Sequence, residues 1–348
     1  MNSKSTNKSN FFKITIENIK RPEISALFAF IVVFIIFSIF GWDKNFVSLM
    51  GASTWINYAA SVGLIAFPVG FLMIAGELDI SVGAVLPASA MTLGILSGYY
   101  ELPTWLGLIL TLGMAFLVGL INGLIVTRTQ VPSLIVTLAT LFAVGGLTLT
   151  LAILFTDSTL VAYYAPDWAK YLFGTVYYGG FRSIVFWWLA LTLIFFLFLH
   201  KSPWGNWVFA TGGDLESARN AGIPTARLKI ALFILCSVCT ALAGICQVIQ
   251  FNSAQSATNF ALIFNTIISV VVGGVLLTGG FGTLIGIFFG TLTLAIVQQG
   301  INFTNIDRNL SNLIIGIMLL FAVFVNGSFQ SLTSKVITSD GDDKEEKS

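Results

Sequence analysis

The sequence predicts an all-α polytopic membrane protein of about ten transmembrane helices, with both termini in the cytoplasm. Three observations carry this. Of 348 residues, 56% are hydrophobic and only 9% are charged, where a soluble domain has about 25% charged residues. Apolar runs long enough to cross a hydrocarbon core of about 30 Å recur along almost the whole chain. Those runs do not alternate apolar with polar residues, which excludes a transmembrane β-barrel. The net charge is +1 with no basic stripe, so no nucleic-acid partner is expected.

Residues 1–23 form a polar N-terminal tail carrying Lys4, Lys8, Lys13, Lys20 and Arg21. The run from Ile24 to Trp42 is long for a signal-peptide core. Its exit, FSIFGWDK, lacks a small-residue cleavage pattern, so it reads as an uncleaved first span. Further spans are expected at 52–75, 80–99, 103–127, 131–155, 183–200, 228–250, 258–278, 283–301 and 310–327. The breaks inside 52–99 and 258–301 are very short, which leaves room for a discontinuous or re-entrant helix in either. The transmembrane domain is thus 24–327, with a long outer loop at 156–182 and a cytoplasmic loop at 201–229. An acidic, solvated tail follows at 328–348, ending SDGDDKEEKS.

Lysine and arginine placement sets the orientation. With the N-terminus inside, the cytoplasmic side holds Lys4, Lys8, Lys13, Lys20, Arg21, Arg128, Lys201, Arg219, Arg227, Lys229, Lys335, Lys344 and Lys347. The outer side holds Lys44, Lys170, Arg182 and Arg308. The bias is thirteen to four, and an odd number of spans would destroy it. The outer loop is rich in aromatics with polar tips, from Tyr163 and Tyr164 through Trp168 and Tyr171 to Tyr177 and Tyr178. Such side chains favour the membrane interface, so a helix lying on the outer surface is expected there. Docking of a periplasmic partner stands beside that structural reading.

The polar stretch Ala210–Lys229, ATGGDLESARNAGIPTARLK, is the longest between two apolar halves. Gly212-Gly213 signals a loop, Asp214 is a candidate N-cap, and the helix-permissive run stops at Gly222-Ile223-Pro224. A short capped helix here is either a handle for a partner protein or an ordinary solvated turn.

No Walker A, HExxH or GxSxG pattern is present, so neither nucleotide hydrolysis nor enzyme chemistry is expected of this chain. Cys236 and Cys239 have CxxC spacing. No second CxxC or nearby histidine completes a site, and with Cys246 they read as small buried hydrophobes. His200, the one histidine, ends a span where a helix C-terminus suits it. No metal and no cofactor bound by this chain is expected. What remains is a pathway. GELDISVG places Glu77 and Asp79 at the junction of two spans, where an ionisable group at the bilayer centre costs about 2.5–3.5 kcal/mol. Asp79 reads as the cap of the next helix, and Glu77 is open. Asn122, Thr137, Thr140, Asn252, Asn265, Thr266, Gln298 and Gln299 are uncharged polar groups in apolar spans. They suit a neutral, hydroxyl-rich solute, and they equally suit helix–helix hydrogen bonds. Gly119 and Gly123 have GxxxG spacing, which Gly282, Gly286 and Gly290 extend over three positions; small residues let helix backbones approach closely.

Four segments together resemble the permease subunits of ribose-type ABC importers. They are GELDISVGAVLPASAM (76–91), INGLIVTRTQVPSLIVTLATLFAVGGL (121–147), GNWVFATGGDLESARNAGI (205–223) and VVVGGVLLTGGFGTLIG (270–286). The resemblance implies a type II-like importer permease in the bacterial inner membrane. It implies a second permease subunit, identical or paralogous, making a homo- or heterodimer within the lipid bilayer. It also implies ABC ATPase subunits that bind ATP–Mg, and a periplasmic binding protein that delivers a monosaccharide or similar small polar solute. It makes 210–229 the coupling segment, with Asp214, Glu216, Ser217, Ala218, Arg219 and Gly222 at the ATPase surface. The translocation pathway would draw on Glu77, Asp79, Asn122, Thr137, Asn252, Asn265 and Gln298. This chain departs from the family pattern at Glu77, Asp214 and Ser217, where an apolar or small residue, Asn and Ala are commoner. Two alternatives remain: an ion-coupled secondary transporter centred on Glu77 and Asp79, or an ABC permease for branched-chain amino acids or nucleosides.

Overall fold

The computed structural model describes residues 22–305, 307 and 309–320. Residues 1–21 of the expected N-terminal tail, the end of the last span, the acidic C-terminal tail and Arg308 lie outside the described residues, while Pro22 and Glu23, expected in that tail, begin the first helix. In chain order the helices are α1 (Pro22–Phe40), α2 (Leu49–Ile74), α3 (Val82–Leu93, prolonged by a π-helical turn Gly94–Tyr99), α4 (Thr104–Arg128) and α5 (Ser133–Thr156). After strand β1 (Leu160–Ala162) come α6 (Asp167–Phe173), α7 (Ser183–Lys201), α8 (Pro203–Gly213), α9 (Leu215–Asn220) and α10 (Thr225–Phe251). Strand β2 (Ser253–Gln255), α11 (Phe260–Val272), α12 (Leu284–Gly300) and α13 (Leu310–Leu320) complete the order.

Among the described residues, eight helices are long and apolar enough to cross a membrane, and α11 and α13 are shorter apolar helices. The 26 residues of α2 give a rod of about 39 Å. It lies at the centre, with Leu64, Ile65, Phe67 and Phe71 fully buried. Aromatic stacking ties it to its neighbours. Trp188 of α7 stacks on Phe67 of α2 at 6.4 Å and on Phe288 of α12 at 4.5 Å between ring centroids. The indole sits where Gly63 has no side chain. By contrast α4 and α5 show Leu117, Ile121, Phe142 and Leu154 on the outside; apolar groups on that face match lipid rather than water.

Polar side chains start several helices by accepting orphan backbone N–H groups. Ser48 caps α2, Ser202 α8, Asp214 α9, Asn259 α11 and Thr283 α12. The expectation that Asp79 caps the third helix is corrected. Ser81 holds the cap position, and Asp79 instead accepts the Ser81 N–H from two residues upstream.

Two further expectations change. The fold is not purely helical: β1 and β2 pair antiparallel, Val161 opposite Ala254, tying the loop 156–182 to the end of α10. The helix expected within 156–182 is α6, only 7 residues long. The span expected at 258–278 is helical only over Phe260–Val272. Its 13 residues reach about 20 Å, short of a full crossing. Residues 256–259 and 273–283 are non-helical around it. The reason is chemical: Gly274, Gly279, Gly280 and Gly282 all have positive φ, which a continuing helix does not allow.

Candidate functional site

The unwound stretches that precede α3 and α11 meet inside the bundle. The chain after α2 runs unwound from Ala75 to Ser81 before α3 begins. The chain after β2 runs unwound to Asn259 before α11 begins. The starts of α3 and α11 touch: Asn259 N donates to the Gly83 carbonyl at 2.9 Å. A Cβ on Gly83 would lie 2.5 Å from Ile263, so only glycine permits the approach. A Cβ on Gly145, midway along α5, would lie 2.6 Å from Thr258 Oγ1 and 3.8 Å from Ala84. Ala84 and Thr258 therefore meet α5 halfway along its length, while the unwound residues before α3 lie against its first turns.

Irregular backbone buried in an apolar bundle needs partners from the protein. Leu78 N donates to Ser133 Oγ at 3.1 Å and Ile80 N to Thr137 Oγ1 at 3.3 Å. Asp79 is fully buried. Its Oδ1 accepts from Ser81 N at 2.8 Å and from Ser81 Oγ at 2.5 Å. Asn122 Nδ2 donates to Ser81 Oγ at 3.1 Å, and Thr140 Oγ1 donates to Asn122 Oδ1 at 2.6 Å. Asp79, Asn122 and Thr137 thus brace the unwound segment against α4 and α5. Removing the bracing acceptor has a defined cost. Asp79→Ala leaves buried donors unpaired and is expected to destabilise the fold by about 1–3 kcal/mol. Asp79→Asn keeps an acceptor oxygen and is expected to stay close to the parent. Thermal unfolding in detergent compares the two; equal losses would show that the acceptor does not matter.

Beside the junction lies a cavity of about 700 Å³ between α2, α10, α11 and the loop before α7. Its polar lining includes Asn57, Tyr58, Ser61, Arg182, Gln247, Gln250, Asn265 and Gln299. A second recess of about 590 Å³ shares Leu86, Gln247, Phe251, Asn259 and Ala261 with it. Asn265 Nδ2 donates to Tyr58 Oη at 2.8 Å, which leaves the Tyr58 hydroxyl proton and the Asn265 carbonyl for a solute. Asn57 is committed to the wall: its Nδ2 donates to Gly180 O at 2.8 Å and its Oδ1 accepts from Arg182 N at 3.0 Å. The Arg182 guanidinium lies 5.4 Å over the Phe251 ring. With the Gln250 amide turned so that Oε1 faces Arg182, that oxygen accepts from Nε at 3.2 Å and also from Nη1. No carboxylate lines either recess. An aromatic face, amides, hydroxyls and one cation form a wall that hydrogen-bonds a neutral hydroxyl-rich solute.

The other sequence-derived residues fall elsewhere. Glu77 accepts from Lys229 Nζ at 2.5 Å in an ion pair. Asn252 turns the chain after α10 at φ +52, with its carbonyl accepting from Tyr163 N at 3.0 Å. Gln298 is half-buried on α12, while its neighbour Gln299 lines the cavity. A Cβ on Gly119 or Gly123 would lie 2.6 Å from Ile234 Cα or 2.7 Å from Ile230 Cα, so α4 and α10 touch backbone to backbone. Gly286 and Gly290 do the same against α11, while Gly282 forms part of the preceding turn. Sequence reasoning missed Asn57, Tyr58, Ser61, Gln247 and Gln250. The signal was present: polar residues at 54, 57, 58 and 61, and at 247 and 250, recur at helical spacing within apolar runs.

At the end of the bundle that carries α9, Asp214 Oδ1 accepts from Ser217 N at 2.5 Å. That backbone bond holds the Asp214 carboxyl below its ordinary pKa, so the cap is charged at neutral pH. Ala218 is buried against the bundle, while Glu216, Ser217 and Arg219 face outward. Arg219 Nε donates to Thr225 Oγ1 at 3.2 Å, and Gly222 ends the helix at φ +82. A cleft of about 230 Å³ beneath α9 is walled by Glu77, Gln130, Ser133, Leu215, Arg219 and Lys229. Among the described residues, no three potential metal ligands converge.

The sequence profile described as branched-chain amino acid transport system / permease component matches residues 51–323. The chain is 29% identical to the ribose import permease of Bacillus subtilis (strain 168), over 82% of this chain and 87% of that one. It is 31% identical to the xylose/arabinose import permease of Sulfolobus acidocaldarius, over 90% and 89%. It is 31% identical to the L-arabinose transport system permease of Escherichia coli (strain K12), over 85% and 88%. No solved structure matches it. A bundle of apolar helices with a polar cavity at two broken helices, together with a profile match over most of its length, places the chain: it belongs to this family of multi-pass permease components, a transport subunit and not an enzyme.

Proposed function

We propose that this chain is the membrane subunit of an ATP-driven importer for a monosaccharide or a similar small polar solute. The observation that carries this is the carboxylate-free cavity of about 700 Å³ beside the starts of α3 and α11. An ion-coupled transporter would place charged or ion-coordinating groups at such a broken-helix site. Here Glu77 is paired with Lys229 and Asp79 bonds Ser81 away from the cavity lining. Carbohydrate is also the cargo in the names of the ribose, xylose/arabinose and arabinose relatives.

Ten crossings with both termini inside put α9 in the cytoplasm and α6 outside. ATPase subunits carrying ATP–Mg dock on α9 through Asp214, Glu216, Ser217, Arg219 and Gly222, while Ala218, expected at that surface, is buried and seats the helix on the bundle. A periplasmic sugar-binding protein delivers cargo at the α6 side. A second permease subunit, identical or paralogous, completes the pathway, to which this chain contributes the Asn265 cavity. ATP-driven closure of the ATPase pair then favours one of two pathway conformations, and cargo shifts the balance only through differential affinity for them.

The test is uptake of radiolabelled D-ribose, D-xylose and L-arabinose by the complete importer in vesicles. Asn265→Leu removes the Tyr58 partner and a cavity acceptor. It is expected to lower uptake of the transported pentose about tenfold, the equivalent of one or two lost hydrogen bonds. Unchanged uptake by a folded Asn265→Leu importer sinks the cavity as the pathway. Uptake driven by an ion gradient without ATP sinks the ABC reading itself.

A further inference from the structure

We propose that the Glu77–Lys229 ion pair and the glycine junction beside it form the joint that carries movement of α9 to both broken helices. The proposal rests on the reading of α9 as the ATPase-docking helix. Three segments meet at this joint: the break after α2, the α8–α9 connection and the turn between α11 and α12. They touch main chain to main chain. Gly280 N donates to the Ile74 carbonyl at 2.8 Å. A Cβ on Gly279 would lie 2.9 Å from Gly212 O and 3.0 Å from Gly76 Cα, and one on Gly280 would lie 2.9 Å from Gly213 Cα. A Cβ on Gly212 would collide with the Ile74 carbonyl. Gly76, Gly279 and Gly280 have φ of +81, +86 and +74, so the contact depends on glycine in conformation as well as in size.

Gly212 and Gly213 immediately precede Asp214, the cap of α9. A displacement of α9 therefore reaches the other two segments without a layer of adaptable side chains between them. Close-packed backbone transmits such a shift instead of absorbing it. Glu77 follows Gly76 and supplies a second strut. Its carboxylate and the Lys229 ammonium, 13% and 11% exposed, are 2.5 Å apart across 152 positions of sequence. The pair joins the α2–α3 break to the first turns of α10, and shares the cleft walls with Leu215 and Arg219 on either side of the docking face. From Glu77 the unwound chain leads directly to the Gly83–Asn259 contact at the cavity. The path is contiguous, and each link is a named contact.

The test uses the full importer, purified with its ATPase subunits and placed in vesicles, with uptake of the transported pentose and ATP hydrolysis measured together. E77Q is expected to retain the ATPase and its hydrolysis while uptake per ATP falls about 5- to 150-fold, the usual range of coupling between sites. Because E77Q leaves Lys229 unpaired and could misfold, the exchanged pair E77K/K229E is the second variant. Recovery of uptake per ATP in the exchanged pair supports a strut made by the pair itself. Unaltered uptake per ATP in E77Q overturns the joint while leaving the docking reading intact. So does a folded, hydrolysing exchanged pair that stays as uncoupled as E77Q. A wild-type chain that retains no ATPase overturns the docking reading, and the joint with it.

Discussion

Gly290→Leu is expected to prevent this permease from folding. A Cβ at position 290 would lie 2.7 Å from Gly273 N and 3.0 Å from Gly273 Cα, and would collide with the Ser269 carbonyl. These are backbone atoms at the end of α11, so no side chain can rotate away. One turn away the same two helices are as close, since a Cβ on Gly273 would lie 2.6 Å from Gly286 O. To admit leucine, α11 must move off α12, and it takes with it Asn265 of the cavity and the Asn259–Gly83 contact. Overpacking a core costs about 1–3 kcal/mol and more when backbone must shift, so a loss above about 3 kcal/mol is expected. Gly113→Leu is the matched control, because nothing lies within 4 Å of its Cβ position. Leucine there exchanges a poor helix former for a good one and is expected to be neutral or slightly stabilising, by up to about 1 kcal/mol. Thermal unfolding of both variants in detergent checks this. If Gly290→Leu melts with Gly113→Leu, the α11–α12 contact does not hold the site.

Glu216→Arg is expected to abolish uptake without affecting insertion or folding. The side chain faces outward on α9 and makes no hydrogen bond or ion pair among the described residues, so its reversal breaks nothing inside the permease. The helix keeps its Asp214 cap, because the Ser217 N–H bond does not involve residue 216. Reversal places a cation where the docking surface has an anion. Juxtaposed wrong charges at an interface cost several kcal/mol, enough to lower ATPase association by about a hundredfold or more. Co-purification of the ATPase, measured by mass spectrometry against the parent, reads the first effect, and pentose uptake reads the second. Full association and full uptake in the variant would end the assignment of α9 to docking. The Asp79, Asn265 and E77Q variants test the interior; this one tests the surface.

The class of the protein was legible in the chain because a bilayer imposes a one-dimensional rule. A crossing needs a run of apolar residues, and each of the ten expected runs corresponds to an apolar helix among the described residues, eight of them long enough to cross. Cap chemistry was legible at Asp214, whose carboxylate lies where an Asp before a helix-permissive run should place it. Glycine spacing was legible too, since Gly119 and Gly123 face α10 as a repeat of four requires. All these signals act over a few residues, and local geometry is enough to read them.

The site was legible only in part. Of the polar residues expected to line a pathway, Asn265 lines the 700 Å³ cavity, while Asn122 and Thr137 hold unwound backbone instead. Nothing local separates the two roles, because an amide in an apolar span serves a solute or a carbonyl with the same donors. Which it meets depends on where α3 and α11 begin, and those starts depend on a contact between Gly83 and Asn259. Glu77 is the sharpest case. Its charge is plain in the sequence, but its partner Lys229 lies 152 positions away, brought within reach by the packing of α10 across α2 and α3. Composition and spacing thus determine that this chain crosses a membrane and carries a capped helix at its surface. Long-range packing determines which polar groups face a cavity and which are spent on backbone, since a buried donor takes whatever acceptor the fold sets beside it.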